Sequence, residues 1–202
     1  MIWHPVWPFK SRESVLAYER VYFEEWYRAP NGRRINIGSQ EDIQREYWLE
    51  KEMPKQRTSN TIDLECIKNI YIWKMRSTTG NCNFPAHLDT LKFAEALRRF
   101  RDASSENEII ESIKSIISFS GVKIRVASAF MYWLRPNEFQ LIDRRVTAAL
   151  NLSFTDEDYT IDNYLKYCEY CKLISMQQNL SLRQIDRALF TYQKLLEKGI
   201  VL

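Results

Sequence analysis

The turn from Ser120 to Lys123 is the part of this 202-residue chain best suited to hold an anion. Gly121 permits a tight turn, and the apolar stretch after it predicts a helix that begins at Ile124. Backbone N–H groups at a helix N-terminus favour negative charge, and a phosphate suits such a site well. Because Lys123 and Arg125 add positive charge, we expect the turn to bind phosphate.

Positive charge is concentrated around this turn. The whole chain has a formal net charge of +3, which is too small to indicate a nucleic-acid partner by itself. Residues 121–145 alone reach the same net charge of +3. Their basic residues are Lys123, Arg125, Arg135, Arg144 and Arg145, and their acidic residues are Glu138 and Asp143. This segment is therefore where the chain would meet a phosphate backbone.

Both ends of this segment match a known pattern. Residues 119–127 read Phe-Ser-Gly-Val-Lys-Ile-Arg-Val-Ala, and residues 141–146 read Leu-Ile-Asp-Arg-Arg-Val. They resemble the motifs of the endonuclease III-like, helix-hairpin-helix DNA glycosylase superfamily, which are roughly Leu-Pro-Gly-Val-Gly-x-Lys-Thr-Ala, an apolar helix and Val-Asp-Thr-His-Val. In that family the Lys and the Asp are 18 residues apart, and so are Arg125 and Asp143 here. The resemblance covers residues 105–150.

The resemblance implies an all-α, two-lobed fold in which residues 1–202 form one unit, with double-stranded DNA in the cleft between the lobes. It implies that Asp143 is the catalytic aspartate, which stabilises the oxocarbenium-like sugar or orients the attacking water. An unusual base would be flipped out of the duplex and its N-glycosidic bond hydrolysed, with no cofactor. The base could be oxidised, alkylated, mismatched or hypermodified, the last fitting a defence protein that acts on phage DNA. The implied DNA-binding residues are Ser120, Gly121, Lys123 and Arg125.

Three departures from the family pattern bear on this chemistry. Lys123 replaces the second glycine of the hairpin, which alters the N–H geometry of the turn. Arg125 stands where bifunctional members have a Schiff-base lysine, and arginine stays protonated at neutral pH. We therefore expect a monofunctional glycosylase. The family's four-cysteine iron–sulfur loop is also missing, because only Cys168 and Cys171 follow Asp143.

Simpler interpretations of Asp143 and of the hairpin stay open. Asp143 opens a predicted helix, so it could cap that helix or pair with Arg144 or Arg145. The hairpin could belong to a non-catalytic module that binds DNA or a protein partner. An open, aromatic-walled pocket at Asp143 would favour the enzyme, whereas a carboxylate buried in a cap or an ion pair would favour the module.

Four further residues could contact the pocket or a phosphate. Trp73 could stack on a base, and Lys74 or Arg76 could hold a phosphate. Arg144, which directly follows Asp143, is the fourth candidate. For Trp73 we favour the alternative, a core tryptophan with solvated flanks.

Cys168 and Cys171 are spaced like metal ligands but lie on a predicted helix without a second ligand pair nearby. His4 and His87 are the only histidines. We therefore expect buried core cysteines and no metal site.

Composition places the chain among ordinary globular proteins. It is 45% hydrophobic and 27% charged, and its 5 glycines and 6 prolines are too few for a typical all-β sandwich or barrel. The N-terminus does not read as a signal peptide, and no apolar stretch approaches the roughly 20 residues of a membrane span. We expect a cytoplasmic protein with reduced thiols.

Helical spacing of apolar residues predicts the elements that position the site. The segment 124–134 is apolar nearly all round, which predicts a central, buried helix. Capping boxes at Ser105 and Ser181 predict two more helix starts. A short extended piece is expected within 29–38, and 77–87 is expected to be irregular. The other predicted helices are 12–28, 40–53, 62–76, 88–102, 143–150 and 160–176.

Overall fold

A computed structural model of the protein describes residues 3–79 and 84–202, apart from the side chains of residues 76–79. Within these residues the fold is mostly helical, as predicted, with nine α-helices and one two-stranded antiparallel hairpin. The elements are α1 (Arg12–Tyr22), β1 (Trp26–Arg28), β2 (Arg34–Asn36), α2 (Gln40–Gln56), α3 (Leu64–Thr79), α4 (Thr90–Asp102), α5 (Glu106–Ile117), α6 (Ile124–Leu134), α7 (Arg144–Ala149), α8 (Ile161–Gln178) and α9 (Leu182–Leu196).

The predicted helix 12–28 is wrong beyond Tyr22. The chain leaves the helix there and forms β1, in which Tyr27 pairs with Ile35 of β2. Aromatic residues suit a strand, and the ladder satisfies the backbone groups that the helix would have used. Gly32 makes the connecting turn possible, because its φ of +81° lies in the left-handed region. The extended piece expected within 29–38 is confirmed as β2.

Local signals fixed most of the remaining helix boundaries. Both predicted capping boxes form: Ser105 and Glu108 cap α5, and Ser181 and Gln184 cap α9. Helix α3 runs to Thr79, so the predicted irregular segment 77–87 is wrong at its start, and its residues 80–83 lie outside the described residues.

Helix α6 lies at the centre of the fold. Every residue from 126 to 134 is buried, and the helix packs against α2, α3, α4 and α5. Helix α9 packs against α1, α7 and α8. The buried apolar side chains join into one continuous core. Among the described residues, no helix combines the length and apolar character that a membrane span requires.

Candidate active site

A cavity of about 320 Å³ opens beside Asp143. It is bounded by the end of α1, the segment 36–43 that leads into α2, part of α3, the segment 141–143 and one face of α9. A cavity of this volume lies within the range of small-molecule sites, which is roughly 300–1,000 Å³. The sequence predicted a pocket at Asp143 only through the motif resemblance.

Three aromatic side chains form the walls of the cavity: Tyr22, Trp73 and Phe190. Trp73 meets Trp133 of the central helix edge to face, with ring centroids 5.7 Å apart, and Phe190 meets Tyr22 in the same way at 6.1 Å. Trp73 is therefore the buried core residue that we favoured, and it also lines the cavity. Its predicted solvated flank is wrong at Lys74, whose side chain is only 10% exposed.

Asp143 uses its two carboxylate oxygens differently. It is the N-cap of α7, where Oδ1 accepts hydrogen bonds from the backbone N–H groups of Arg145 at 2.9 Å and Val146 at 3.1 Å. Its Oδ2 lies 3.7 Å from the Lys74 ammonium, and the side chain remains 27% exposed. Asp143 is therefore both a helix cap and a cavity residue.

The suggested ion pairs of Asp143 with its neighbours in sequence are wrong. Arg144 instead pairs with Asp156 at 2.9 Å, and Arg145 lies 3.7 Å from Glu197. The basic side chain beside the Asp143 carboxylate is instead Lys74 of α3.

Buried hydrogen bonds fix the backbone that carries Asp143. The N–H of Ile142 donates to Ser128 Oγ on α6 at 3.1 Å. Tyr167 and Tyr164 on α8 donate from their hydroxyls to the carbonyls of Leu141 and Gln140, both at 2.9 Å. Since these donors and acceptors are buried, breaking one would leave an unsatisfied polar group, and this cost keeps the segment in place.

A buried ion network forms the floor of the cavity, and no motif in the sequence indicated it. Glu46 of α2 is 1% exposed and accepts hydrogen bonds from Arg183 Nε at 2.8 Å, Arg187 Nε at 3.0 Å and the Tyr22 hydroxyl at 2.7 Å. Burial alone would raise the pKa of Glu46, but the two guanidinium groups outweigh it and lower that pKa to about 2. Arg183 also pairs with Asp186, one helical turn along α9.

Lys194 is a second amine at the cavity. Its ammonium donates to the carbonyl of Ile37 at 2.7 Å and lies 5.5 Å from the centroid of the Phe190 ring. Burial, with the nearby charge of Arg145, lowers the pKa of Lys194 to about 8. A neutral amine is thus more accessible at this lysine than at an exposed one.

The predicted phosphate turn is exposed at Ser120, Gly121 and Lys123. Gly121 has a φ of +81°, and the turn closes through a hydrogen bond from the Val122 N–H to the Phe119 carbonyl at 3.0 Å. Lys123 is the N-cap of α6. Because a lysine side chain has no acceptor atom, it cannot cap the first-turn N–H groups of the helix.

Asp156 links the turn to the neighbourhood of Asp143. Its carboxylate lies 3.3 Å from Arg125 and 2.9 Å from Arg144, and the Arg125 guanidinium lies 5.0 Å above the Tyr159 ring. The hydroxyl of Tyr159 in turn shares a hydrogen bond with Thr147 of α7 at 3.2 Å. Arg144 is therefore part of this basic cluster and not of the cavity wall.

The remaining candidates are Cys168, Cys171 and Arg76. Cys168 and Cys171 are buried core thiols, as predicted, and burial raises the pKa of both. Among the described residues, no group of three or more His, Cys, Asp or Glu side chains is placed to hold a metal ion. The side chain of Arg76 lies outside the described residues.

No protein-family model, curated protein or solved structure matches the chain.

Proposed function

We propose that the protein is a DNA glycosylase-like enzyme that flips an unusual base out of duplex DNA and hydrolyses its N-glycosidic bond. The position of Asp143 carries this proposal. One of its oxygens caps α7, while the other lies beside Lys74 at an aromatic-walled cavity. The motif resemblance gives the catalytic role to the same residue.

The cavity suits a flat, polar-edged ligand such as a flipped base. Stacking on an aromatic side chain is worth roughly 1–3 kcal/mol per base, and Tyr22, Trp73 and Phe190 offer three such surfaces. Polar side chains that line the same cavity would read the edge of the base, as base-flipping enzymes require. These are Asn36, Ser39 and Asp42.

Positive charge develops on the sugar as the base leaves, and the carboxylate of Asp143 would stabilise it while water attacks. Arg125 cannot act as an amine nucleophile and is held by Asp156 at 3.3 Å. The product would be an intact strand with an abasic site. Trapping of a covalent adduct by borohydride would contradict this and would direct attention to Lys74 or Lys194.

The turn at 120–123 would hold the DNA backbone. Its exposed glycine, the N-terminus of α6, and the charges of Lys123 and Arg125 favour a phosphate there. A phosphate would compete with Asp156 for Arg125 and Arg144, because both guanidinium groups already pair with that carboxylate.

The helix contacts support a two-lobed helix-hairpin-helix arrangement. Helices α1, α7, α8 and α9 would form one lobe, and α2 to α6 the other, since most contacts fall within these two sets. The cavity takes Tyr22 and Phe190 from the first set and Trp73 from the second. A base entering it would therefore approach along the junction of the lobes.

A non-catalytic DNA-binding module is the second candidate. The capping role of Asp143 Oδ1 favours it, because a helix cap needs no further function. The two candidates differ in one measurable product, the abasic site.

The test is incubation of the protein with duplexes that each carry one oxidised, alkylated, mismatched or hypermodified base, followed by alkali to cleave abasic sites. The enzyme predicts alkali-dependent cleavage of at least one duplex, abolished by Asp143→Asn. Binding of duplexes with no cleavage of any of them would support the module and refute the enzyme.

A further inference from the structure

The exposed face of the β-hairpin carries arginines without balancing acids. Residues 26–40 contain Arg28, Arg33 and Arg34 and no acidic residue. All three arginines are exposed, and none of them forms an ion pair with any residue that the structure describes. They also lie outside the turn at 120–123, so they are a separate positive surface.

The register of the hairpin places two of these arginines directly opposite each other. Arg28 of β1 pairs with Arg34 of β2, and Tyr27 pairs with Ile35. Directly opposed residues project from the same face of an antiparallel pair, so Tyr27 and Ile35 cover the core while Arg28 and Arg34 share the outer face. Like charges in this position repel each other and destabilise the hairpin. An anion bound by both guanidinium groups would remove that repulsion.

The same face of the hairpin continues into the cavity. Trp26 lies opposite Asn36, and Asn36 is one of the residues that line the cavity. Arg34 precedes Asn36 by two residues on β2, which is about 7 Å along the strand. Trp26 is 45% exposed, and the Arg34 guanidinium lies 5.1 Å from the centroid of its ring. This cation–π contact holds Arg34 on the part of the hairpin nearest the cavity.

We propose that the outer face of the hairpin is a second DNA-binding surface, which holds phosphates of the strand beside the nucleotide that enters the cavity. The inference rests on the proposed function for its partner, duplex DNA. A flipped nucleotide stays joined to the backbone on both sides, so its flanking phosphates remain at the mouth of the cavity. Guanidinium groups bind phosphate oxygens through two parallel N–H donors, and Arg28 and Arg34 offer two such groups on one face. Arg33, next to Arg34, extends the positive surface.

The test measures the affinity for duplex DNA of the wild type, Arg28→Gln/Arg34→Gln and Arg28→Lys/Arg34→Lys at a series of salt concentrations, by fluorescence anisotropy. Each phosphate contact contributes about 0.9 to the slope of log affinity against log salt, so the glutamine variant should have a slope smaller by about 1.8. Between about 50 and 200 mM salt, its affinity should therefore fall about tenfold less than that of the wild type. The lysine variant should keep most of the slope, because both charges remain.

Lys10→Gln/Arg12→Gln is the matched control. It removes two exposed positive charges at the start of α1, roughly 15 Å along the helix from Tyr22 at the cavity, and should change the slope much less. Because Arg28 and Arg34 repel each other, their replacement by Gln should leave the melting temperature unchanged or higher. A lower melting temperature would contradict the repulsion on which the inference depends.

The outcomes distinguish this surface from the proposed function. An unchanged slope in Arg28→Gln/Arg34→Gln, or an equal decrease in the control, would overturn the hairpin surface and leave the glycosylase proposal standing. The expected decrease in slope, with no base release from any duplex, would support the surface and refute the enzyme. Absence of duplex binding by the wild type would overturn both proposals.

Discussion

Replacing Glu46 with Gln should strongly destabilise the fold. Glu46 is 1% exposed and is the shared partner of Arg183 and Arg187. The variant keeps the side-chain shape but removes the carboxylate that both guanidinium groups share. Among the described residues, Arg183 then retains only Asp186 as a carboxylate partner, and Arg187 retains only Glu19 and Glu50. Removing one partner of a buried ion pair typically costs about 3–5 kcal/mol when the remaining charge is uncompensated, so the remaining carboxylates place the loss at the lower end of this range.

The shift in the pKa of Glu46 on folding gives a second value for the loss in free energy of unfolding. It falls from 4.5 to about 2 on folding, and at about 1.4 kcal/mol per pH unit the difference is worth about 3 kcal/mol. Because the folded-state pKa is lowered, this contribution is fully present above pH 4.5 and is lost as the pH falls towards 2. Both values correspond to a loss of several kcal/mol in the free energy of unfolding at pH 7.

Urea unfolding of the wild type and Glu46→Gln at pH 7, 5, 4 and 3 measures the effect. The difference in free energy of unfolding should be largest at pH 7 and should shrink as the pH falls below 4.5. Glu95→Gln is a matched control, since Glu95 pairs with Arg98 and Arg99 at the exposed surface, and it should change the stability little. A loss below about 1 kcal/mol for Glu46→Gln would refute the structural role of the network.

Two further predictions concern DNA binding. Changing Lys123 and Arg125 together to Glu should weaken duplex binding and flatten its dependence on salt, because fewer counterions are released; an unchanged slope of affinity against salt would remove the turn from the interface. Asp156→Asn should tighten binding, most at low salt, because it frees Arg125 and Arg144 from a competing carboxylate; Asp162→Asn, an exposed carboxylate that pairs with Lys166, serves as the control, and equal effects of the two variants would assign the change to net charge alone.

The elements that could be predicted from sequence are those whose signals are local. The apolar run 124–134 and the capping boxes at Ser105 and Ser181 determine their helices within a few residues of chain. The hairpin was missed because Trp26 and Tyr27 suit a helix or a strand, and only pairing with residues 34–36 decides between them.

The residues of the candidate site also differ in whether local sequence can identify them. Asp143 and the turn at 120–123 could be found because two short local motifs, at residues 119–127 and 141–146, carry them. Glu46 and Arg183 are 137 residues apart in sequence, and their burial follows from the packing of α2 beside α9. Nothing in the local sequence around Arg183, Asp186 and Arg187 indicates that these charged residues of α9 are buried, so Asp186 could not be recognised as a cavity residue.

Base release by Asp143→Asn is the most direct test of the proposed function. An asparagine can still cap α7, so the fold should persist while the charge opposite the sugar is lost. On a duplex that the wild type cleaves, the single-turnover rate should fall roughly 10²- to 10³-fold, with DNA binding retained or tighter. Full activity of Asp143→Asn would contradict the mechanism, whatever base the enzyme prefers.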